Sequence, residues 1–588
     1  MTAELSPLSI LRAVHSWSRL RPTDVAVCAP DGSSLDFARV QDRTEELAEA
    51  LAAGGVTADT AVGLLLGRST DSVAALLAVW HLGATAVPLD AGHPVERLTY
   101  ALRDAGVRVL IAESLPRGLE LANDVEQLRP SKAIRGATVP AAAPEPDSCA
   151  YIIYTSGTTG RPKGVEVTYR GLDTFVTALG SLELPPGGLG LNAVSPAFDG
   201  WLWCTLLYLL HGQGVALVDL SLDGLRAAED GTPLLPPGLR TVSLTPSLLA
   251  AHGGDIDAAE VVVVAGEACP PALADRFAAG RRFLNVYGPT EATIAATWSD
   301  SVCQDDIRTI GRPLPGYRAH VLDAWLRPVE PGTDGELCLG GPAVARGYRN
   351  QPGLTAARFV PDPFEGGGAR MYRSGDMVRQ CADGTLEYRG RRDDQIKVRG
   401  HRIELGEVDR VAATVAGVEA AAAYVSGSGD TLGLAVVAAD GGADLPERVL
   451  ARCADLLPPA AVPHHVRVVA ALPTLVTGKA DRTALAGEPA AVPADTGTGP
   501  TQLTPRERQV LQIWSELLER EVTDTGADFF ELGGHSLLAA RTVAELRRRT
   551  QGRVTLAQLL ANPTAAALAA ELDRTLPPVQ DAVAEGAW

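Results

Sequence analysis

The sequence has no pair of cysteines at C-x-x-C spacing, although eight cysteines are scattered along its 588 residues. Isolated cysteines favour neither a zinc site nor a disulfide framework, so we expect free thiols and a reducing compartment, the cytoplasm. The chain also lacks an apolar run long enough to cross a bilayer, and its first residues, MTAELSPLSILRAVHSWSRLRPTD, lack the apolar core of a signal peptide. We therefore expect no membrane partner.

The sequence also has no excess of basic residues over acidic ones. The formal net charge is -19 and the isoelectric point is near 5.0. Because binding to nucleic acid depends on a basic face, we expect no nucleic acid partner. The length is too great for a single core and predicts several domains.

Short apolar runs alternate with amphipathic helical stretches from Val25 to about Val469, as in AVGLLLG, STDSVAALLAVWHLG and ATAVPLD. This alternation predicts an α/β fold with largely parallel sheets. A stretch rich in Pro, Gly, Ala and Thr, AGEPAAVPADTGTGP, then reads as a linker. Beyond it, LTPRERQVLQIWSELLER has apolar residues at helical spacing, which predicts a small helical bundle.

The segment YIIYTSGTTGRPKGV places an apolar strand before a loop of hydroxyl residues and glycines, followed by Lys163. Backbone N–H groups and hydroxyls of such a loop can surround a polyphosphate while the lysine supplies positive charge. The spacing differs from that of the Walker loop. A plain Gly/Ser/Thr surface loop is the alternative for the glycines alone.

This segment resembles the signature of the adenylate-forming superfamily, which includes acyl-CoA synthetases, luciferases and the adenylation domains of peptide synthetases. Four further signatures of that superfamily follow in order: NVYGPTE, YRSGD, GRRDDQIKVRGHRIELGEVD and TGKADR. The second departs from the usual YRTGD, because Ser374 replaces a threonine, but the hydroxyl is kept.

The resemblance implies a role for each matching residue. Tyr287 would stack on adenine, Asp376 and Arg391 would bind the ribose, and Glu291 would hold magnesium. Lys479 would be the catalytic lysine that contacts the substrate carboxylate and the α-phosphate of ATP, and Asp393 the hinge. The implied nucleotide-binding residues are Thr155, Ser156, Gly157, Thr158, Thr159, Gly160, Lys163, Gly266, Glu267, Asn285, Tyr287, Gly288, Thr290, Asp376 and Arg391.

The stretch SPAFDGWLW resembles the specificity region of the amino-acid-activating members, in which an aspartate, here Asp199, pairs with the α-ammonium group of the substrate. The alternative is that Asp199 only caps the helix beginning near Gly200. Ser243 could bind a phenol or indole, or its own backbone. The lining is apolar and favours tyrosine, phenylalanine or tryptophan over leucine. The implied substrate-binding residues are Asp199, Gly200, Trp203, Ser243, Val263, Ala265, Val286, Ile294 and Ala295, with Lys479 beside them.

The stretch DFFELGGHSLLAARTVAEL resembles a carrier-domain signature, in which the serine, here Ser536, bears 4′-phosphopantetheine. A helix N-terminus favours an attached phosphate, although an ordinary N-cap serine is the alternative. The resemblance implies an α/β adenylate-forming enzyme, with a small mobile α+β C-terminal subdomain, and a four-helix carrier. The expected boundaries are residues 1–392 for the large subdomain, 393–486 for the small subdomain, 487–502 for the linker, 503–574 for the carrier and 575–588 for a flexible tail.

These matches predict a stand-alone didomain that activates an L-amino acid with ATP and Mg²⁺ and loads it on its own carrier. The chain has no HHxxxDG condensation motif and no GxSxG elbow, so we expect the product to pass to another protein. The expected partners are a phosphopantetheinyl transferase and a downstream tailoring enzyme or condensation domain; some relatives also need an MbtH-like protein. The alternatives are an acyl- or aryl-CoA ligase, and a carrier scaffold whose adenylation part is inactive.

Overall fold

The computed structural model describes most of the chain, and no helix among the described residues is long and apolar enough to cross a membrane. Thr158, Thr159 and Gly160, and most of the expected linker and tail, lie outside the described residues. The structure describes residues 8–133, 137–157, 161–220, 235–252, 256, 258–300, 309–393, 395–398, 401–426, 431–439, 444–475, 479–487, 503–518, 521–529, 532, 534, 536–550, 554, 558–559 and 562–575.

Within these residues the strands are, in chain order, β1 (Val25–Cys28), β2 (Ser34–Asp36), β3 (Ala61–Leu64), β4 (Thr85–Pro88), β5 (Val109–Ile111), β6 (Glu126–Leu128), β7 (Cys149–Thr155), β8 (Lys163–Thr168), β9 (Leu189–Asn192), β10 (Gly214–Leu217), β11 (Leu239–Leu244), β12 (Val261–Ala265), β13 (Arg282–Tyr287), β14 (Thr297–Asp300), β15 (Arg312–Pro313), β16 (Arg318–Leu322), β17 (Asp334–Gly340), β18 (Gly347–Tyr348), β19 (Phe359–Pro361), β20 (Arg370–Gln380), β21 (Leu386–Arg391), β22 (Gln395–Val398), β23 (His401–Glu404), β24 (Val418–Ser426), β25 (Thr431–Ala438) and β26 (His465–Val469). The α-helices are α1 (Ser9–Leu20), α2 (Phe37–Ala53), α3 (Thr70–His81), α4 (Val95–Ala105), α5 (Tyr169–Gly180), α6 (Asp199–Leu210), α7 (Pro246–His252), α8 (Pro271–Ala278), α9 (Pro352–Arg358), α10 (Leu405–Ala413), α11 (Leu445–Leu456), α12 (Arg482–Gly487), α13 (Pro505–Leu517), α14 (Ser536–Thr550) and α15 (Ala565–Thr575).

Two large sheets form the body of the N-terminal part. The first has the strand order β15-β14-β13-β12-β11-β9-β10-β1-β2, and the second has the order β18-β8-β7-β4-β3-β5-β6. Their central strands run parallel, for example β12 beside β13 and β3 beside β4. Continuous apolar runs such as VVVV in β12 suit strands that are covered on both faces.

Buried helices separate the two sheets. Helix α3 contacts β1 of the first sheet as well as β3 and β4 of the second, and α5 packs against α6. Apolar residues surround α3 on every side, and Trp80, at 0% exposure, donates its indole N–H to the carbonyl of Ala150 at 3.0 Å. A helix that is apolar all round belongs in a core, and α3 lies between the layers.

The third sheet is antiparallel, whereas the sequence predicted largely parallel sheets. The strands β16, β17, β20 and β19, with β21 beside β20, are all antiparallel. Short turns such as Asp323–Arg327 join neighbouring strands here, and a parallel pair would need a long crossover. This sheet places Asp376 and Arg391 opposite each other on β20 and β21.

The small subdomain starts with the β22–β23 hairpin and continues into a sheet in which β25 pairs antiparallel to β24 and parallel to β26. Helices α10 and α11 cover this sheet and share a core with it, which includes Val408, Leu434 and Val449. The expected α+β composition of this part is therefore confirmed.

The carrier part contains α13, α14 and α15, which pack around the buried side chains of Trp514 and Phe529. Thr504 and Glu507 form a capping box at the start of α13. The remaining helix of the expected four-helix bundle is a prediction that lies outside the described residues. Helix α14 contacts α7 of the large subdomain, so the carrier lies against the adenylation part.

Candidate active site

The predicted residues gather where several strands end. Thr155 ends β7, Ala265 ends β12 and Tyr287 ends β13, while Asp199 begins α6. Strands β12 and β13 belong to the first sheet and β7 to the second, so strand ends from both sheets contribute; the carboxyl ends of parallel strands are where ligands bind in open α/β folds. The hairpin β22–β23 of the small subdomain closes over these strand ends, because Lys397 reaches Tyr287 and Arg402 reaches Glu291.

Asp376 is the centre of the expected ribose site. It accepts hydrogen bonds on Oδ1 from Arg391 Nη1 at 2.7 Å and from Tyr388 at 3.4 Å, and on Oδ2 from the hydroxyl of Tyr287. The Ser374 hydroxyl accepts from the Asp376 N–H at 3.0 Å and donates to the Leu337 carbonyl at 2.7 Å. The Ser374 hydroxyl of YRSGD therefore links the Asp376 N–H to the Leu337 carbonyl, which a side chain without a hydroxyl could not do.

Glu291, the predicted magnesium ligand, is fully buried and paired on both oxygens. Oε1 accepts from the Tyr348 hydroxyl at 2.8 Å and lies 3.3 Å from Lys163 Nζ, while Oε2 lies 2.8 Å from Arg402 Nη1. Burial alone would raise the pKa of Glu291, but Arg402 and Lys163 outweigh it and hold that pKa well below its usual range. A carboxylate with both oxygens paired to cations does not fit a divalent metal in this orientation.

The start of the phosphate loop faces the small subdomain. Ser156 Oγ donates to the Arg402 carbonyl at 2.8 Å, and the Gly157 N–H donates to Glu407 Oε2 at 3.2 Å. Thr155 Oγ1 is buried without a hydrogen-bond partner among the described residues. An orphaned buried hydroxyl at this position fits a site that binds phosphate.

Two lysines occupy different places. Lys479 is exposed, and its carbonyl accepts from the Leu475 N–H at 2.8 Å. Lys397 of β22 instead lies in the site, with Nζ 5.4 Å from the centre of the Tyr287 ring. Burial lowers the pKa of Lys397, while Asp376 and Asp199 act to raise it. The structure thus brings Lys397, and not Lys479, to the face of the predicted adenine-stacking tyrosine.

Asp199 is the first residue of α6, and Phe198 occupies the N-cap position without a side-chain cap hydrogen bond. The capping alternative is therefore not what the structure shows. Asp199 is half-buried and hydrogen-bonds Thr290, and burial raises its pKa above the ordinary aspartate value. A partly desolvated carboxylate at a cleft wall is best satisfied by a cation.

The floor of the expected amino-acid pocket is formed by a side-chain pair. Trp203 Nε1 donates to Ser243 Oγ at 3.1 Å, and the Trp203 ring packs against Phe175 with ring centres 6.0 Å apart. The Ser243 hydroxyl is therefore engaged by an indole of the protein. Gly200 follows Asp199 in α6, and the walls are completed by Val263, Ala265, Val286, Ile294 and Ala295, all buried except the half-buried Ala265.

Backbone strain marks one wall of this pocket. Thr293 and Ile294 have φ values of 57° and 73°, in the left-handed region that β-branched residues rarely adopt. A Cβ on Gly288 would lie 2.3 Å from the Ala295 Cα, so only glycine permits this close backbone approach. Strain of this kind persists where the surrounding structure enforces it, often at binding sites.

The other predicted residues occupy positions around the cleft. Gly266 turns the chain after β12 with φ 86°. Glu267 accepts from the Ser247 N–H at 3.0 Å, and Asn285 donates to the Thr309 carbonyl at 2.8 Å. Asp393, the predicted hinge, follows β21 and pairs with Arg391 at 2.7 Å. Ser536 is the first residue of α14.

The sequence analysis assigned no role to four residues of the site: Tyr348, Lys397, Arg402 and Glu407. Lys397, Arg402 and Glu407 lie inside the quoted stretch GRRDDQIKVRGHRIELGEVD, so the signal was present but no role was assigned to them. Tyr348 belongs to none of the quoted motifs. Its contact with Glu291 joins residues 57 positions apart, which only folding reveals.

Residues 14–349, more than half of the chain, match the family described as AMP-binding enzyme. The chain belongs to this family. Residues 508–572 match the family described as phosphopantetheine attachment site, so the AMP-binding enzyme is followed by a carrier domain. ATP with Mg²⁺ and 4′-phosphopantetheine are the cofactors of these two domains.

Several relatives share both parts with this AMP-binding enzyme. Phosphinothricin tripeptide synthetase PhsC of Streptomyces viridochromogenes is 39% identical over 94% of the chain, which spans only 52% of that protein. Novobiocin biosynthesis protein H of Streptomyces niveus is 36% identical, with 94% of each chain covered. The solved structure of holo-PA1221, an NRPS protein containing adenylation and PCP domains, has a TM-score of 0.79 and 27% identity over 97% of each chain. The expected fold and the adenylation–carrier organisation are confirmed.

Proposed function

We propose that this AMP-binding enzyme activates an L-amino acid and loads it onto its own carrier domain. In the first step a substrate carboxylate oxygen attacks the α-phosphorus of ATP, so that an aminoacyl-AMP forms and pyrophosphate leaves. In the second step the acyl carbon is transferred to a thiol, which loses its proton, and AMP leaves. When bound to Ser536, phosphopantetheine supplies that thiol.

Asp199 is the observation that carries the amino-acid assignment. Its carboxylate lies in the cleft beside Thr290, and burial raises its pKa, so the ionised form needs a cationic partner. The α-ammonium group of an amino acid is such a partner. An acyl- or aryl-CoA ligase has no use for a carboxylate here, and the carrier domain supplies the acceptor in the same chain.

Asp376 orients the nucleotide. Its two oxygens accept from Arg391, Tyr388 and Tyr287, and a carboxylate offers about four acceptor positions, so one position remains for a ribose hydroxyl. Arg391 also pairs with Asp393, which holds the guanidinium in place. This cluster positions the sugar before reaction, and positioning is a large part of catalysis in phosphoryl-group chemistry.

We propose that the small subdomain works in two orientations, related by rotation about Asp393. In the structure Lys479 is exposed and Lys397 lies over Tyr287. The first step needs the orientation in which Lys479 reaches the substrate carboxylate and the α-phosphate. The described orientation, in which Lys397 and Arg402 line the cleft, suits the second step. A hinge rotation needs only a few residues to absorb the backbone change.

For the side chain of the substrate we propose a large apolar or aromatic group, with tyrosine, phenylalanine and tryptophan ahead of leucine. The apolar walls support this, with Asp199 as the charged group of the pocket. Because Ser243 already accepts from Trp203, a phenol or indole would have to share that hydroxyl.

The partners and the compartment follow from the chemistry. A carrier serine requires a phosphopantetheinyl transferase, and we propose that a tailoring enzyme or a condensation domain receives the loaded amino acid. We propose the cytoplasm as the compartment, since ATP is supplied there. Assaying activity with and without an MbtH-like protein decides whether that partner is needed.

Amino-acid-dependent ATP–pyrophosphate exchange across the twenty standard amino acids, with and without an MbtH-like protein, tests the function. We expect the strongest exchange with an aromatic amino acid. Exchange with a small or charged amino acid would overturn the side-chain assignment. No exchange with any amino acid, with or without the MbtH-like protein, would overturn amino-acid activation.

Two variants separate the two steps. Lys479→Ala should abolish exchange yet still load the carrier from supplied aminoacyl-AMP, whereas Ser536→Ala should keep exchange and lose loading, as read by intact mass. Exchange at the normal rate in Lys479→Ala would show that another residue performs the first step. Efficient transfer to free CoA by Ser536→Ala would instead favour a CoA ligase.

A further inference from the structure

The strained segment in the wall of the proposed amino-acid pocket is a tight turn of defined geometry. The Ala295 N–H donates to the Thr293 carbonyl at 2.8 Å, and Ile294 between them has a φ of 73°. A hydrogen bond that spans two residues around a positive φ is typical of the rarer, strained kind of γ-turn. Thr293 has a positive φ as well, and both residues are β-branched, so contacts from outside the turn must hold it.

Thr293 is tied to the surrounding structure at two points. Its hydroxyl donates to the Ala343 carbonyl at 2.6 Å, and its carbonyl accepts from the Tyr317 hydroxyl at 3.4 Å. Thr293, Ala343 and Tyr317 are all buried. Because water does not reach these groups, a hydrogen bond that is lost here cannot be replaced by solvent, and each one constrains the turn.

The turn also joins two parts of the proposed pocket. The Thr293 N–H donates to the Thr290 carbonyl at 3.1 Å, and Thr290 hydrogen-bonds Asp199, the residue assigned to the α-ammonium group. Ile294 and Ala295, on the other side of the turn, are assigned to the side chain of the amino acid. Since the backbone of a residue sets the direction of its side chain, a relaxed turn would point Ile294 elsewhere.

We propose that Thr293 is a positioning residue that determines which amino acids the pocket accepts. Its hydroxyl holds the strained turn and so fixes Ile294 and Ala295 in the wall. Thr293 is fully buried, so it acts through these neighbours and not by touching the substrate. This inference rests on the proposed function, because it takes the two neighbours as the wall of an amino-acid pocket.

The test is amino-acid-dependent exchange with the full-length protein, read as the ratio of kcat/KM between the preferred amino acid and the next in rank. Every amino acid is assayed with the same ATP, so an effect on ATP binding cancels from this ratio. Thr293→Val keeps the shape of the side chain but removes the donor, and we expect the ratio to fall about fivefold or more. Thr293→Ser keeps the hydroxyl and should keep the native ratio.

Thr85→Val is the matched control. Thr85 is also buried, and its hydroxyl donates to the carbonyl of Cys149, the first residue of β7. Both valine variants lose a buried hydrogen bond to a backbone carbonyl, so both should have a lower melting temperature. Only Thr293→Val should change the ratio between amino acids.

Tyr317→Phe removes the second tie and leaves Thr293 itself intact. The hydrogen bond that it removes is long, at 3.4 Å, so the ratio should fall less than in Thr293→Val, by about threefold. If Thr293→Val does not fold, Tyr317→Phe and Thr293→Ala, which removes the same donor from a smaller side chain, carry the same test.

Three results would overturn the inference: a native ratio in Thr293→Val, an equal change in Thr85→Val, or no recovery of the ratio in Thr293→Ser. Each is measured in a protein that still performs exchange, so each leaves the proposed function standing. Failure of the proposed function is distinguished because the native protein would then give no amino-acid-dependent exchange, and this inference would fail with it.

Discussion

Around Asp376 and Glu291 every carboxylate oxygen has a side-chain partner, whereas around Asp199 the walls are apolar and Thr290 is the hydrogen-bonding neighbour. On the proposed function, the half of the cleft assigned to the nucleotide is held by fixed polar contacts, and the half assigned to the amino acid is formed by apolar walls and Asp199. A polar network tolerates few changes, while an apolar wall can be altered residue by residue. On the proposed function, this difference would let the acid-binding half change while the ATP-binding half is kept.

Asp199→Asn tests the amino-acid half most severely. Loss of the charge opposite a desolvated α-ammonium group should lower kcat/KM for the amino acid about 1000-fold, on the order expected for breaking a buried ion pair. The KM for ATP should stay within about twofold. Exchange kinetics with each substrate varied in turn measure both values.

The matched experiment is the same variant with the des-amino analogue of the best substrate. The introduced asparagine carries no charge that the analogue would leave unpaired, so the analogue should gain activity relative to the native protein. Equal losses for amino acid and analogue would show that Asp199 supports the fold of the site and not ammonium binding.

Asp376→Asn tests the nucleotide half. It removes the charge facing Arg391, whose side chain is 9% exposed, and hydrogen bonds to charged groups contribute about 1.5–3 kcal/mol. We expect kcat/KM for ATP to fall about 100-fold for every amino acid tested, together with a lower melting temperature. An effect confined to certain amino acids would contradict the separation of the two halves.

The pH dependence of kcat/KM distinguishes the amino-acid half of the cleft from the nucleotide half. Because burial raises the pKa of Asp199, its protonated form appears at higher pH than for an ordinary aspartate. The protonated form cannot pair with ammonium, so kcat/KM for the amino acid should fall about tenfold per pH unit below that pKa. Glu291 has a lowered pKa and stays ionised over the same range. Asp199→Asn should lack this acid limb.

Ser243→Ala is expected to have the smallest effect. It leaves the buried Trp203 N–H without its acceptor, at a cost of about 1–3 kcal/mol in stability. The ranking of amino acids should shift by a few fold, while the KM for ATP should not change. Differential scanning calorimetry and the exchange panel measure the two effects, and an unchanged ranking would place Ser243 outside the pocket floor.

Sequence reasoning places site residues together most directly where they lie in one short stretch. Residues such as Ser374 and Asp376 are neighbours in YRSGD, and the structure places them in direct hydrogen-bond contact. The antiparallel sheet around them was not expected, because periodicity indicates a strand but not the direction of its partner. The order of the motifs predicted the domain organisation that the family matches confirm.

Contacts between distant residues were beyond such reasoning. Trp203 and Ser243 are 40 positions apart, and nothing in their local sequence indicates that one bonds the other. The exposed position of Lys479 and the placement of Lys397 over Tyr287 depend on how one subdomain is turned against another. The local sequence pattern carries no information about the angle between the two subdomains.

The sequence by itself determined the class of chemistry, because the motifs that predict a phosphate loop, a ribose-binding aspartate and a carrier serine each consist of residues close together in the chain. Only the tertiary structure decided which charges face each other across the cleft. Glu291 meets Arg402 over a separation of 111 residues, and Gly157 meets Glu407 over 250. Electrostatic pairing falls steeply with distance in space and is indifferent to distance along the chain, so folding alone sets these partners.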